Sequence, residues 1–256
     1  MAVCAPIESE ICSSVKRPTG IRNRTKLSRP PEVEIRAVRV DEVHAAARMH
    51  FEFFGGPEVA RSSFLKLGPE FLEAAFYRLN LDNPYFFVLG AFLRGELIGL
   101  QVFTTDRRKM FEHLLRTHRG EFLVQFLQAF VHRPISSCRY LLDKVSLKHD
   151  VPPHVQRVPA ALLLMLVRPE ARTKSFICET GIWVGGALLE AMEAVMRERG
   201  CPEYWSETTV DNSFVHNLAR RVGAICVGEA LRQGVLLRFM VAPVRNVAAA
   251  REASAC

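Results

Sequence analysis

Eight consecutive apolar residues, Ala160 to Val167, place the strongest constraint on this chain. A strand of that composition has no face to give to water, so it belongs inside a sheet covered on both sides. It is far short of the ~20 residues that a membrane-spanning helix needs. The same holds for the other long apolar run, Tyr85–Leu93, so no membrane span is expected. A 256-residue chain that is 49% hydrophobic can supply the covering layers without disulfide or metal staples.

The segments around that strand read as alternating helices and strands. Val33–Val40 alternates strictly and predicts a strand with one buried face. Asp41 is positioned to cap a helix reaching Phe54, with Val43, Ala47 and Phe51 on one stripe, stopped by Gly55-Gly56-Pro57. Pro69 opens a helix over Glu70–Asn80. Tyr85–Leu93 and Leu97–Thr105 form a hairpin across Arg94-Gly95-Glu96. Asp106 caps Arg107–His118. A further helix, Glu121–His132, carries a broad apolar face of Phe122, Phe126 and Phe130 with Leu123 and Leu127. Core packing is the default for those phenylalanines, and an apolar acceptor or acyl pocket is the alternative. Prolines break residues 133–159 and leave them unassigned.

After the buried strand, a polar loop leads to a helix over Val184–Arg199, with Ala187, Leu188, Ala191 and Val195 inward and Gly200 as its stop. Tyr204–Val210 is a strand and Asn212–Val222 a helix closed by Gly223. Ala224–Leu231 and Val235–Val241 make a last hairpin. The order predicts a single mixed, mostly antiparallel α/β sheet of about seven strands, flanked by helices on both faces. A helical insertion, 106–159, separates strands three and four. Residues 1–32 read as a disordered basic leader, 33–242 as the folded domain and 243–256 as a flexible tail.

Charge and cysteine usage exclude several function classes. Of the net +7, the leader carries +3 and the tail +1, which leaves +3 over the 210 residues between them. No aromatic residue interleaves the leader's basic residues, which argues against nucleic-acid binding, while a mild positive potential suits an anionic ligand. Seven cysteines with no CxxC spacing fit a reducing, cytoplasmic setting, and no His/Cys cluster has zinc spacing, so no metal is expected. The first twenty residues contain Glu8 and Glu10 and no apolar core of a secretory signal.

The chemistry concentrates in residues 162–224. Gly181-Ile182-Trp183-Val184-Gly185-Gly186 runs directly into a helix, and free N–H groups at a helix N-terminus make an anion site that glycines let a pyrophosphate approach. No Lys-Ser/Thr follows Gly186, so this is not a Walker loop. The wider pattern resembles the GNAT superfamily of N-acetyltransferases. Leu166-Val167-Arg168-Pro169-Glu170-Ala171-Arg172 is similar to that family's central strand exit, and Thr180 to Leu189 to its pyrophosphate loop and helix start. Asn212 to Gly223 has the spacing of its next helix, and the upstream strand–helix–helix–strand–strand order also fits. The departures are Thr180 where Arg or Gln is usual, Trp183 where the first Gly is usual, a connection from Pro169 to Gly185 about twice the usual length, and Ala219 where a Tyr commonly serves as acid.

The resemblance implies acetyl-CoA, or another acyl-CoA, as cosubstrate and a primary amine as acceptor. The amine attacks the thioester directly in a ternary complex, with a backbone N–H of the central strand holding the oxyanion. It implies cofactor contacts at Leu166, Val167, Arg172, Lys174, Thr180, Gly181, Trp183, Val184, Gly185, Gly186 and Asn212. Arg168 belongs to the same basic cluster. Glu207 is the candidate base, a solvated carboxylate being its bland reading. His216 and Asn217 are candidates to replace the missing Tyr, against the default of a plain helix surface. Two alternatives stay open: a long-chain acyl transferase using acyl-CoA or acyl carrier protein, and a catalytically degenerate binding domain. The acceptor's identity is not written in the chain, and a homodimer is compatible with it.

Overall fold

The apolar run at 160–167 is the fourth of seven strands in one sheet of order β1-β2-β3-β4-β5-β7-β6. The structure, a computed structural model, describes residues 32–54, 65–146, 151–232 and 234–245. The strands are β1 (Val33–Ala37), β2 (Phe86–Leu93), β3 (Glu96–Thr104), β4 (Ala161–Val167), β5 (Glu203–Thr209), β6 (Ile225–Arg232) and β7 (Val235–Pro243). All neighbours are antiparallel except β4 and β5, which run parallel. This is the mixed sheet that the sequence pattern implies.

Helices cover both faces. On one lie α8 (Val184–Glu198) and α9 (Ser213–Arg221), whose Leu188, Met192 and Leu218 pack with Phe103, Val167 and Tyr204 of the sheet. On the other lie α1 (Val43–Phe54) and the segment from α2 (Pro69–Phe71) through a π-helical turn, Leu72–Tyr77, packed with Val88, Leu100 and Leu166. The insertion forms α3 (Arg107–Thr117), α4 (Arg119–His132), α5 (Pro134–Ser146) and α6 (Pro153–Arg157). Its α4 and α5 build a small core of their own with Leu67, Phe71 and Ala75, while α6 seats Val155 against Trp205 and Phe239.

Several local expectations change in the structure. Asp41 is not the cap of α1. A 3₁₀ turn, Val40–Glu42, precedes that helix, and the Arg39 N–H donates to Glu42 at 2.9 Å. Glu42 is fixed there because Arg36 donates to both of its carboxylate oxygens at 2.6 and 2.7 Å, which also holds that carboxyl down to about 2. Asp106 does cap α3, accepting from the Lys109 N–H at 3.0 Å. Phe122 and Phe126 turn inward onto Phe71, whereas Phe130 stays exposed, so the three do not share one face. The polar connection after β4 contains a 3₁₀ turn, Pro169–Arg172, and a helix, α7 (Lys174–Thr180). Thr173 caps α7 by accepting from the Phe176 N–H at 3.2 Å. Seven residues are too few for periodicity to disclose.

The inward stripe of α8 is Leu188, Leu189, Met192, Glu193 and Met196, and Ala187, Ala191 and Val195 sit at its half-buried flank. The rotation brings Glu193 fully inside, where Arg245 grips it in a forked ion pair at 2.9 Å and Tyr204 donates its hydroxyl at 3.4 Å. Ordered structure therefore continues past residue 242, and the Val244 N–H donates to the Pro202 carbonyl at 2.9 Å. The Gly55-Gly56-Pro57 stop, the leader to residue 31 and the tail from 246 lie outside the described residues.

One buried base makes the fold acid-sensitive. His50 of α1 is 8% exposed and shares a 2.9 Å hydrogen bond with the Tyr77 hydroxyl, and burial pushes its imidazole down to about 4. Between pH 6.5 and 4 the unfolded chain takes up a proton that the folded chain refuses, so this contribution is complete above pH 6.5 and lost as pH falls to 4. The loss is at most about 3 kcal/mol. Urea unfolding of His50→Phe should show a shallower stability decline from pH 7 to 4.5 than the wild type, and parallel declines would rule this origin out.

Candidate active site

The parallel pair β4/β5 holds together at one end only. Ala161 pairs with Trp205 and Leu162 with Ser206, and the Trp205 N–H donates to the Ala160 carbonyl at 3.1 Å. Beyond these, β4 stays on β3 as far as Val167, and β5 stays on β7 as far as Thr209. The sheet opens into a wedge. A register shift between Val102 and Phe103 leaves Leu163 without a partner on β3, and an extra residue of this kind bends its strand and reverses which peptide groups face which neighbour. The Arg168 N–H donates to the Ile98 carbonyl of β3 at 2.8 Å, so by strand alternation Leu166 also faces β3, while Met165 and Val167 turn their peptide groups into the wedge. Of Leu166 and Val167, only Val167 turns its N–H into the wedge. Its carbonyl already accepts from Arg172 Nε at 2.5 Å.

The N-terminus of α8 lies at this open end. Gly99 pairs with Val167, and a methyl built on Gly99 would stand 2.9 Å from Val184 Cγ1 and 3.1 Å from Leu188 Cδ1, so the absence of a side chain there lets the helix start settle on the strand ends. The stretch before α8 uses its donors unevenly. Gly181, left-handed at φ +70°, closes α7 and donates to the Ile177 carbonyl at 2.8 Å. Thr180 donates its hydroxyl to Phe176 and accepts from the Ile182 N–H, so Thr180 and Gly181 serve the end of α7. The first intrahelical bond of α8 is Ala187 to Trp183, and the N–H groups of Val184, Gly185 and Gly186 have no acceptor among the described residues.

Trp183 occupies the N-cap of α8 and lays its indole along the glycines. A Cβ on Gly186 would meet the ring at 2.4 Å, whereas one on Gly185 would meet only ordinary contact at 3.6 Å. The glycine pair thus accommodates the indole as well as any anion, and Gly186 is the tighter position. Arg221, at the end of α9, sits 5.9 Å from the indole centroid and adds a cation that the sequence pattern did not single out. Only the fold reveals it, because 38 positions separate the two residues in the chain.

The remaining candidates scatter around the wedge. Glu207 lies on β5 opposite Phe239 of β7 and is exposed, on the sheet face that carries Trp205, away from α8. His216 donates from Nε2 to the Thr209 carbonyl at 3.1 Å and so fastens α9 to the end of β5. Asn217 accepts from Arg220 at 2.6 Å on an exposed face, and Asn212 caps α9 through the Val215 N–H at 3.2 Å. Ala219 is buried. Arg168 is bound to Glu96 at 2.6 Å, which separates it from Arg172, whose guanidinium lies 5.6 Å from the Phe53 ring, and from Lys174, which projects exposed from the first turn of α7. Among the described residues there is no group of three His, Cys, Asp or Glu side chains able to hold a metal, and no helix is long and apolar enough to cross a membrane.

No protein-family model and no curated protein matches the sequence. Solved structures match its fold. The crystal structure of SsHAT superposes with a TM-score of 0.55 at 16% identity, covering 84% of this chain and 100% of that one. An N-acetyltransferase from Staphylococcus aureus Mu50 superposes at 0.51 with 10% identity, covering 84% and 99%. The chain shares the fold of these structures, a mixed sheet of the GNAT type.

The indole contact gives a direct test. Gly186→Ala should destabilise by about 1–3 kcal/mol through overpacking, whereas Gly185→Ala should be neutral or slightly stabilising. In a Trp183→Ala background the Gly186→Ala cost should largely vanish. Equal melting temperatures for the two single variants would mean that the indole does not rest on Gly186.

Proposed function

We propose that this chain is an acyl-CoA-dependent N-acyltransferase that moves an acyl group, most simply acetyl, to a primary amine. The observation that carries the reading is the half-paired β4/β5 wedge with the unsatisfied N-terminus of α8 at its open end. Adjacent N–H groups at Val184, Gly185 and Gly186 suit a pyrophosphate, and Arg221, over the Trp183 indole that lies on those glycines, supplies a cation. The Val167 N–H, facing the wedge, is oriented to receive negative charge gathering on a thioester oxygen.

The amine approaches from the Glu207 face of the sheet, opposite α8. Its lone pair forms the new C–N bond as the C–S bond breaks and the electron pair leaves with the thiolate. Glu207 takes the amine proton. His216 has committed its Nε2 proton to Thr209, and Ala219 offers none, so the departing thiolate draws its proton from water at the mouth of the wedge.

Native mass spectrometry should show CoA or acetyl-CoA retained by the purified chain, and an amine panel should release free thiol from acetyl-CoA. Glu207→Gln should lower kcat by about 10²-fold or more with little change in the KM for acetyl-CoA. CoA binding with no thiol released for any amine would select the degenerate binding domain, which the indole over Gly186 favours. Tighter binding of a long acyl-CoA than of acetyl-CoA would select the long-chain donor. An absence of CoA binding would end the reading altogether.

A further inference from the structure

Helix α4 is apolar on two sides, and the fold uses only one of them. Phe122, Phe126 and Ala129 turn into the small core formed with Phe71 and Tyr140. A second stripe, Leu123, Val124, Leu127, Phe130 and Val131, faces water with exposures of 54%, 50%, 53%, 37% and 76%. A helix that is apolar over so much of its circumference is ordinarily covered on both sides. Together the exposed apolar residues of α3, α4 and α5 leave on the order of 900 Å² in water, comparable with the ~800 Å² that each partner gives to a standard interface.

The spacing of the stripe suits a second copy of the same helix. Its five residues lie at offsets −4, −3, 0, +3 and +4 from Leu127. A two-fold contact requires that when residue i meets j, residue j meets i, and a pattern symmetric about one position satisfies this for two antiparallel copies of the same helix. Crossing at Leu127 sets Leu127 on its own copy, Leu123 on Val131 and Val124 on Phe130. The chemistry agrees. From Phe122 to Val131 there is no charged residue, as in the core of a dimer interface, and the polar positions within that stretch are Gln125 and Gln128 rather than the lysines and arginines of a helix that lies on anionic lipid.

We propose that the chain forms a two-fold homodimer in which α4 of one protomer packs antiparallel on α4 of the other, centred on Leu127. The contact lies on the helical insertion and leaves the β4/β5 wedge to each protomer. Sedimentation equilibrium of the full chain at up to about 100 μM should return twice the chain mass, and Leu127→Glu should weaken association at least a hundredfold while far-UV circular dichroism stays unchanged and melting, compared at concentrations where both chains are monomeric, stays the same. Leu127 is half exposed in the protomer, so the charge has room there. Under mild oxidation Leu127→Cys should crosslink with itself above the wild-type background, and Leu123→Cys should crosslink when mixed with Val131→Cys. A monomeric wild type would overturn the proposal. So would a Leu127→Glu variant that dimerises as the wild type does, or cysteine variants that crosslink no more than background.

Discussion

Two parallel strands hydrogen-bonded at one end and parted at the other determine how this molecule is organised. β5 is occupied along its whole length by β7, and β4 along its length by β3, so neither strand lacks a partner on its far side. What is left open is the space between them beyond Leu162 and Ser206. The extra residue at Leu163 turns the peptide groups of Met165 and Val167 toward that space. A strand interior normally hides such groups in a ladder, because unpaired buried donors and acceptors are costly. Here Arg172 satisfies the Val167 carbonyl, and the N–H is left to face the wedge.

The helix that follows depends on the same opening. α8 can start where it does because Gly99 on β3 carries no side chain beneath Val184, and because α7 and its left-handed Gly181 return the chain to the strand ends. Three N–H groups without an acceptor among the described residues then stand beside a strand whose own donor faces the wedge. Glu207 projects from the opposite side of the sheet, so the proposed reading brings cosubstrate and amine in from two directions to meet between the strands.

Much of the fold was legible because it rests on local signals. The apolar run of β4, the Arg94-Gly95 hairpin and the Asp106 cap each declare themselves within a few residues. The failures share a different cause. Asp41 is a sound cap by its chemistry, yet Glu42 does the work because Arg36, six positions back on β1, holds it in place. The inward face of α8 departs from the expected Ala187, Leu188, Ala191 and Val195 stripe because Glu193 lies inside, and Arg245, far along the chain, makes its burial tolerable. The glycines before α8 were legible as a place of close approach, but the approaching group in the structure is the indole of Trp183. Arg221 gave no signal, since its nearness to that indole is produced by the packing of α9. The symmetry of α4 was in the sequence throughout, masked by reading Phe122, Phe126 and Phe130 as one face.

The Glu193–Arg245 pair also has a bearing on how the molecule is made. Glu193 is synthesised 52 residues before the guanidinium that neutralises it. Until Arg245 has left the ribosome, α8 cannot close on the sheet without burying a bare carboxylate, at a cost of about 3–5 kcal/mol. The hairpin of β6 and β7, which ends just before Arg245, completes the far edge of the sheet in the same interval. The nascent chain can thus order β1 to β3 with α1 early, while the half that carries the wedge waits for the final strand. A helix is thus locked by a residue 52 positions further along the chain, so the cleft can close into shape only after β7 and Arg245 have emerged.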